Sequence, residues 1–493
     1  MPGSGIPISP TEAMASRPQS RLGAHSPVQV QPAFSWSKSA GLLDYGVGPV
    51  PWHGPFRTTP PSSIGIGNSS SMANINLAIV GCGGMGTRHL RGLAELQKHG
   101  LSEFNLVALC DPVLDNANLL ADEAAERFGT RPRVVPALAE LAVHGVQAVD
   151  ITTTPRYHHT LAVEALELGW HVMCEKPVGL TVECCRRIRE AQSRTGRVLS
   201  VAENYRRDPM NRLAKAVLAS GAIGEPRLMI HNTLGGADRM TISVWRHMKD
   251  QSGVLLDVGV HFTDILEYYL GPAVTAYGQV RLHESVRHNP AAGKDNDMSS
   301  NPAGIYGRWQ KVMPATFEPT AEDAAYGTIT HANGAVTQFV EDHAGHGRGV
   351  FQRLLFGSQG SMDLPNDRSG QPVTVHLADG KSLTGDEVLD LVPDFRLEEA
   401  TAALFGGERL GGYDLPFTEI DPRIIAIEYA ELGQVLTGRK PAVEVDIEQG
   451  MRSVALVYAL MESSLLNRAV TMDEVLAGSV NGYQAEIDEA LFP

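Results

Sequence analysis

A strand, a glycine-rich turn and a helix in direct succession constrain the fold more than any other part of the chain. Residues 77–80 form an unbroken apolar run, which predicts a buried strand of a parallel sheet. A helical pattern follows the turn at 87–98. Further strands, mostly apolar, are predicted at 106–110, 148–151 and 171–174 and alternate with helical stretches. This alternation predicts βαβ units with right-handed crossovers, and hence an α/β domain with a parallel sheet.

The glycines of the turn are spaced as a nucleotide-binding loop requires. Gly81 permits a tight turn, Gly83 lets a pyrophosphate approach the backbone, and Gly86 allows the helix to pack closely on the strand. Gly84 and Met85 complete the loop at the helix N-terminus, where unpaired N–H groups favour phosphates. Glycine-rich turns are common, but the flanking strand and helix make this one predict a Rossmann dinucleotide-binding domain.

An acidic residue ends the second predicted strand. Asp111 follows Gly86 by 25 residues, and its carboxylate can accept hydrogen bonds from the ribose hydroxyls of an adenosine. The same charge would repel a 2′-phosphate, so NAD is favoured over NADP. The alternative is that Asp111 only caps the turn before Pro112.

A lysine motif lies where another strand ends. Lys176 stands between Glu175 and Pro177, and the carboxyl ends of parallel strands line the ligand crevice. A lysine there can hydrogen-bond a substrate hydroxyl and stabilise the charge that develops on its oxygen. Glu175 is a candidate cofactor-binding neighbour. The alternative is a surface lysine before a proline turn.

A third motif places an acid near a histidine. Asp257 and His261 are four residues apart, and this spacing puts both on one face of a helix. Asp257 can therefore orient the ring of His261 and tune its pKa. A histidine is the usual general base for a hydroxyl proton. A lone histidine is more often a core residue, but the turn at Gly253 and the nearby acid favour a catalytic role.

The rhythm of the sequence changes after about residue 205. Alternating strands are predicted at 226–233, 274–282, 324–331 and 335–341, which indicates a sheet with one solvated face. We expect a Rossmann domain at 72–203 and an α/β domain with a large, mostly antiparallel sheet at 204–493. The stretch 284–320 reads as a long loop insertion, functional or disordered. Helices predicted at 424–436 and 451–465 can return to pack on the first domain.

The first 71 residues differ from the rest, being rich in Pro, Ser and Gly and poor in acids. We expect a disordered extension there. A transit peptide would also be Ser-rich and acid-poor, but the prolines spoil an amphipathic helix. Met72 opens an ordinary strand sequence, so we favour a start-site error over a targeting segment.

Charge and cysteine content narrow the partners and the compartment. The net charge of −15 argues against nucleic acid or an anionic membrane as the main partner. No apolar run approaches the roughly 18 residues of a membrane span, so we expect a soluble protein. The cysteines are five, an odd number, which disfavours a disulfide framework and indicates small buried side chains in a reducing, cytoplasmic setting. Their spacing predicts no metal site.

Together these motifs resemble the glucose–fructose oxidoreductase / inositol dehydrogenase (Gfo/Idh/MocA) family. The strongest matching segments are 78–86, 154–159, 165–177 and 252–264, and they run in the family's order. Weaker similarity continues to the final helices. The segments cover most of residues 75–275, and only their combination is specific for the family.

The resemblance implies a site and an assembly. It identifies Lys176 as the catalytic lysine, and Asp257 and His261 as the family's acid and proton-transferring histidine. It also implies a cis peptide before Pro177 and a homo-oligomer, a dimer or tetramer, formed through the C-terminal sheet. Candidate cofactor-contacting residues are Thr153, Pro155, His159, Asn204, Trp245 and Arg246. Arg156 departs from the asparagine common after Thr-Pro, which leaves the substrate open.

These observations predict an NAD-dependent dehydrogenase. We expect hydride transfer between nicotinamide and a carbinol or keto carbon of a sugar, cyclic polyol or glycoside, with no metal. Two alternatives remain. One is a glycoside-cleaving enzyme on the same scaffold that recycles tightly held NAD. The other is a non-enzymatic dinucleotide-binding sensor, although a sensor has no need of Lys176, Asp257 and His261 together.

Overall fold

A computed structural model describes residues 75–295 and 304–493, and a parallel sheet organises the first part of them. Its strands are β1 (Ile75–Val80), β2 (Phe104–Cys110), β3 (Arg133–Val135), β4 (Ala148–Ile151), β5 (His171–Glu175) and β6 (Leu199–Ala202). They lie in the order β3-β2-β1-β4-β5-β6, with parallel neighbours. This is the Rossmann strand order. The predicted fold class is confirmed, whereas the predicted extension at 1–71 lies outside the described residues.

Helices join these strands. They are α1 (Gly84–Lys98), α2 (Leu114–Phe128), α3 (His158–Glu167) and α4 (Val182–Thr195). Helix α1 begins at Gly84, before the start at residue 87 that the sequence pattern predicts. The pattern predicts a later start because glycine is a poor helix former in isolation. Close packing requires glycine here, since a Cβ at Gly86 would collide with the carbonyl oxygen of Gly81. The N-terminus of α1 therefore lies directly against the end of β1.

A larger sheet follows. The remaining strands are β7 (Pro226–Gly236), β8 (Ala273–Arg281), β9 (Arg287–His288), β10 (Thr316–Phe317), β11 (Ala324–His331), β12 (Val336–Gly345), β13 (Val350–Gly357), β14 (Gly360–Leu364), β15 (Thr374–Leu377), β16 (Ser382–Thr384) and β17 (Val470–Thr471). Nine of them form a sheet in the order β16-β15-β14-β13-β7-β12-β11-β8-β17. Strands β7 and β12 run parallel, and the other neighbours are antiparallel. This is the large, mostly antiparallel sheet that the sequence predicts.

Further helices follow in the later part of the chain. They are α5 (Pro209–Ala219), α6 (Val254–Leu270), α7 (Gly307–Gln310), α8 (Glu399–Phe405), α9 (Phe417–Leu436), α10 (Ile447–Leu466), α11 (Met472–Leu476) and α12 (Ala485–Leu491). Helix α10 packs against α6 and β8, whereas α9 returns to the first sheet and packs on α1. Gly92 of α1 allows this approach, because a Cβ there would lie 2.5 Å from Ile425. Arg88 of α1 also pairs with Asp421 of α9 through two hydrogen bonds.

The stretch predicted as a long loop insertion contains regular structure where it is described. Strands β9 and β10 form a short antiparallel ladder at its base, and α7 lies between them in the chain. We call residues 304–313 the insertion segment.

Two features bear on the compartment and the partners. All five cysteines are buried and unpaired, as their number and spacing predict. Within the described ranges, none of the helices has the length and apolar character needed to cross a lipid bilayer.

Candidate active site

The glycine-rich turn leaves space where a diphosphate group would lie. Gly81 has a φ of +99°, in the left-handed region that favours glycine, and a Cβ there would lie 2.8 Å from Thr153. A Cβ added at Gly83, by contrast, would have no described atom within 4 Å beyond those of its chain neighbours. That space adjoins the N-terminus of α1, whose N–H groups favour anions. The turn therefore fits the pyrophosphate of NAD.

Asp111, which directly follows β2, braces this turn. Its Oδ2 accepts a hydrogen bond from the backbone N–H of Cys82 at 2.8 Å, and its Oδ1 accepts one from Val113 at 2.8 Å. The residue also lines the same cavity as Gly83. Each carboxylate oxygen has a second lone pair. The capping and the ribose-binding interpretations of Asp111 are therefore compatible.

Two adjoining cavities open at the carboxyl ends of the first sheet's strands. The catalytic cavity, of ≈ 230 Å³, is lined by Lys176, Asp257 and His261 among others. The dinucleotide cavity, of ≈ 360 Å³, is lined by Gly83 and Asp111 among others. Both cavities share a wall formed by Met85, Thr153, Ile242, Trp245 and Arg246. This places the candidate catalytic groups beside one end of a continuous cleft.

Lys176 follows β5 and points towards α6. Its Nζ donates hydrogen bonds to the backbone oxygen of Asp257 at 2.8 Å and to Oδ1 of the same residue at 3.2 Å. The side chain is only 11% exposed. The peptide between Lys176 and Pro177 is cis, as the family resemblance implies. An ammonium has three donors, so the third remains for an oxygen in the cavity.

Asp257 lies in the first turn of α6 and is shared between two cations. Besides Lys176, the Nε of Arg246 lies 3.3 Å from its Oδ2. Burial opposes ionisation, but the charges of Arg246 and Lys176 outweigh it and lower the pKa of the Asp257 carboxyl. This carboxylate therefore stays charged and fixes the lysine in position.

His261 takes a different partner from the one the sequence predicts. Its Nδ1 lies 2.8 Å from both carboxylate oxygens of Glu203, which directly follows β6, and its ring stacks on Tyr205 at 4.2 Å. The spacing of four residues to Asp257 is real, but Lys176 and Arg246 occupy that carboxylate. The prediction that Asp257 orients the ring is therefore corrected to Glu203. Its only sequence signal is a position at a strand end.

The protonation of this pair decides which ring nitrogen can act. Burial raises the pKa of the Glu203 carboxyl to about 7. Burial, reinforced by the charge of Lys176, holds the pKa of His261 well below its usual range, so the ring is neutral. When Glu203 is ionised, it accepts the Nδ1–H and leaves Nε2 free to take a proton. When Glu203 is protonated, it donates to Nδ1 and the ring proton lies on Nε2.

Glu175 belongs to a buried ionic network beneath the cleft. His89 of α1 bridges two carboxylates, with Nε2 at 2.9 Å from Glu175 and Nδ1 at 2.9 Å from Asp150. Burial opposes the charged forms, but the two acids raise the pKa of His89 well above its usual range. Despite its burial, hydrogen bonding to His89 lowers the pKa of Glu175 to about 2. The other oxygen of Glu175 accepts the backbone N–H of Lys176 at 3.0 Å, which ties the lysine to α1.

The other predicted cofactor residues lie mostly along the cleft. Pro155, Glu175 and Asn204 line the catalytic cavity, and Thr153, Trp245 and Arg246 line both cavities. Oδ1 of Asn204 is buried and has no hydrogen-bond partner among the described residues. An unpartnered buried acceptor carries a free-energy cost unless a ligand donor meets it, so Asn204 suits a hydroxyl or amide of a bound molecule.

His159 is placed elsewhere, which corrects its prediction. It packs edge-on against Phe492 at 5.2 Å and lines a separate surface groove with Arg187. His158 instead points inward, with Nδ1 at 2.8 Å from the carbonyl oxygen of Pro177 and Nε2 at 3.1 Å from that of Thr153. Neighbouring residues of a helix face directions about 100° apart. The adjacent histidines could not be told apart by pattern alone.

Several cleft residues were missed by the sequence analysis. Apart from Arg88 of α1, they lie in loops or on elements far along the chain, and none belongs to a spacing motif: Arg88, Tyr205, Thr241, Ile242, Arg368, Phe417, Tyr306, Trp309 and Met313.

Comparison with known families finds matches over both sheets. Residues 75–203 match the model described as "Oxidoreductase family, NAD-binding Rossmann fold" (GFO_IDH_MocA), and residues 211–363 match the "GFO/IDH/MocA C-terminal domain".

Similar curated proteins are dehydrogenases of sugars and polyols. The chain is 29% identical over 310 residues to levoglucosan dehydrogenase of Pseudarthrobacter phenanthrenivorans, covering 60% of this chain and 75% of the relative. It is 28% identical over 237 residues to D-glucoside 3-dehydrogenase of Escherichia coli, covering 48% and 62%. It is 33% identical over 201 residues to inositol 2-dehydrogenase 2 of Saccharopolyspora erythraea, covering 41% and 55%. The last two relatives are thus matched over less than two thirds of their length.

Solved structures share the fold. Levoglucosan dehydrogenase in complex with NADH and levoglucosan superposes with a TM-score of 0.63 at 21% identity, covering 81% of this chain and 99% of that one. An oxidoreductase domain protein from Kribbella flavida gives a TM-score of 0.64 at 21% identity, with the same coverage.

Proposed function

The chain belongs to the GFO/IDH/MocA oxidoreductases, whose first domain is an NAD-binding Rossmann fold, and we propose that it is an NAD-dependent dehydrogenase of a sugar, cyclic polyol or glycoside. The observation that carries the proposal is the convergence of Lys176, Asp257 and His261 on one small cavity that adjoins the glycine-rich turn. A cavity of ≈ 230 Å³ is suited to a compact polyhydroxyl molecule. The names of the curated relatives support the same class of substrate.

NAD, bound along the cleft, supplies the carbon that accepts the hydride. In the oxidation direction the substrate hydroxyl lies between Lys176 and His261. His261 removes the hydroxyl proton through Nε2 while a hydride leaves the carbon that bears this hydroxyl and passes to the nicotinamide. Lys176 donates a hydrogen bond to the substrate oxygen and stabilises the negative charge that develops there. In the reverse direction the protonated His261 returns the proton to that oxygen.

The neighbouring residues prepare these groups. Asp257 holds the Lys176 ammonium through two acceptors and keeps it close to the cavity. Glu203 fixes the ring of His261 and, when ionised, keeps Nε2 free of a proton. The proposed reaction requires no metal ion, because Lys176 stabilises the charge on the substrate oxygen and His261 takes its proton.

The experiment that tests the proposal is a panel of sugars, glycosides and inositols assayed for NADH formation. The panel includes levoglucosan, a D-glucoside and myo-inositol. We expect multiple-turnover NADH formation with at least one compound, and a fall of about a hundredfold or more for Lys176→Ala, the range for loss of one charge-stabilising donor. Lys98→Ala, at a side chain 68% exposed on α1, is the control. Full turnover by Lys176→Ala would refute the assignment.

A second candidate function uses the same cleft differently. The insertion segment lies over the dinucleotide cavity, which favours retention of the cofactor and hence a glycoside-cleaving enzyme that oxidises its substrate transiently. Net NADH accumulation over many turnovers identifies the dehydrogenase. Product formation without net change in nicotinamide absorbance identifies the alternative.

The assembly and the compartment are also proposals. The nine-stranded sheet carries exposed large apolar side chains on two of its strands, Val274 and Tyr277 on β8 and Val350 and Phe356 on β13. We propose a homo-oligomer formed through this sheet, which light scattering on the purified protein would test. The five unpaired cysteines support a reducing, cytoplasmic setting.

A further inference from the structure

The insertion segment reaches the dinucleotide cavity from the later part of the chain. Tyr306, Trp309 and Met313 of this segment line that cavity opposite Gly83 and Asp111. The motifs that predict the nucleotide site include none of the three. What they do there follows from how the segment is held and from the chemistry of its side chains.

The segment is anchored at its base. Nε2 of Gln310 donates to the carbonyl oxygen of Ile242 at 2.9 Å, and Nδ2 of Asn289 donates to that of Gln310 at 2.8 Å. The backbone N–H of Asn289 also donates to the carbonyl oxygen of Ala315 at 2.9 Å. Because Ile242 itself lines both cavities, these bonds fix the segment beside the cleft.

The side of the segment away from this anchor contacts the Rossmann domain. The hydroxyl of Tyr306 donates to the sulfur of Met85 at 3.0 Å. Its ring lies so close to Gly84 that a Cβ there would collide with it. Further out, Arg308 reaches Asn116 of α2 at 3.5 Å. The segment thus spans the mouth of the dinucleotide cavity from one side to the other.

The side chains suit one part of a dinucleotide better than the others. Lys176 and His261 line the catalytic cavity, so the nicotinamide end belongs there, and the adenosine end belongs in the dinucleotide cavity. Aromatic rings and a thioether present apolar, polarisable surfaces that pack well on a flat base. None of the three carries a charge that would pair with a pyrophosphate, and the glycine-rich turn already serves that group.

We propose that Tyr306, Trp309 and Met313 complete the dinucleotide site and hold the adenosine half of NAD. The inference rests on NAD binding, which the proposed function shares, and not on the identity of the substrate. The segment contacts residues on both sides of the cavity, so its side chains add contacts that a bound cofactor has to break before it leaves. Dissociation of the cofactor is therefore slowed by these contacts.

The test measures binding without turnover. Titration calorimetry compares NADH, ADP-ribose and reduced nicotinamide mononucleotide on the full chain and on Trp309→Ala. We expect the Kd for NADH and for ADP-ribose to rise about tenfold, equivalent to about 1.4 kcal/mol, and the Kd for the mononucleotide to stay within twofold. Stopped-flow release of NADH should accelerate by a similar factor. Val312→Ala, at a side chain in the same segment that is 79% exposed, is the matched control, and Trp309→Phe should restore most of the affinity.

The outcomes separate the inference from the proposed function. Affinities of Trp309→Ala within twofold of the parent overturn the inference, and so does a loss confined to the mononucleotide. If no sugar or polyol is oxidised while ADP-ribose binding falls in Trp309→Ala, the inference stands and the proposed function fails. A matching thermal unfolding temperature for the cofactor-free parent and variant shows that the change is local.

Discussion

The catalytic cavity and the dinucleotide cavity share a wall but depend on different physics. The first is built from buried ionisable side chains that hold one another, as in the contact of Lys176 with Asp257 and that of His261 with Glu203. The second is built from bare backbone at Gly83 and from apolar surfaces such as Trp309. Chemistry in the first should respond to pH and to single charge changes, whereas binding in the second should respond to shape.

The largest expected effect separates chemistry from binding. His261→Gln removes the proton acceptor of the catalytic cavity, so we expect turnover to fall by about 10²- to 10⁴-fold, the usual contribution of a general base. The affinity for ADP-ribose should change by less than twofold, because the ring does not line the dinucleotide cavity. Steady-state kinetics and calorimetry measure the two quantities. His376→Gln, on β15, is the control. A parallel loss of ADP-ribose affinity would break the comparison.

The second prediction concerns the dinucleotide cavity, where we expect a substitution to weaken cofactor binding. Gly83→Ala adds one methyl group in space that the protein leaves open, and its φ of −79° suits alanine. The folded state should be unaffected, whereas the methyl group meets a bound pyrophosphate, so we expect NADH affinity to fall about tenfold, equivalent to about 1.4 kcal/mol. Calorimetry and thermal unfolding measure the two effects. Gly349→Ala, which lines neither cavity, should leave both unchanged. Unaltered NADH binding by Gly83→Ala would show that the turn is not the phosphate site.

The smallest expected effect concerns pH. Burial raises the pKa of Glu203 to about 7, and only its ionised form leaves Nε2 of His261 free to accept a proton. The oxidation rate should therefore rise as the pH increases through about 7. In Glu203→Gln that step should disappear, because a glutamine does not ionise. Turnover should fall by less than about tenfold, below the 10²- to 10⁴-fold expected for a group that itself transfers the proton. pH profiles of kcat for both proteins test this, and an unchanged midpoint in the variant would assign the step to another group.

The same contrast explains what the sequence could predict of the fold. Strands β1, β4 and β5 are mostly apolar and largely buried on both faces, and their positions follow from that pattern. Strands β3 and β17 have only three and two residues, too few for any periodicity. Their pairing depends on neighbours that are distant in the chain, so no local pattern could reveal them.

The site divides in a similar way. Motifs with fixed spacing, such as the glycines and the pair Asp257 and His261, could be read because one turn or one helix holds them. Glu203 could not, because a single acid at a strand end reaches His261 only through the tertiary fold. The aromatic residues of the insertion segment likewise carry no signal in sequence, because Tyr306 meets Met85 and Gly84 only through the tertiary fold.

The return of α9 to α1 has a consequence for how the molecule is made. Leu90 and Leu93 of α1 share one apolar core with Ile425 and Tyr429 of α9, more than 300 positions later. While the chain emerges from a ribosome, the first sheet is complete long before that cover is synthesised. The nucleotide-binding half must then wait with an exposed apolar face, and such faces invite aggregation. Full burial comes only when residue 436 has left the exit tunnel, so the two halves mature together.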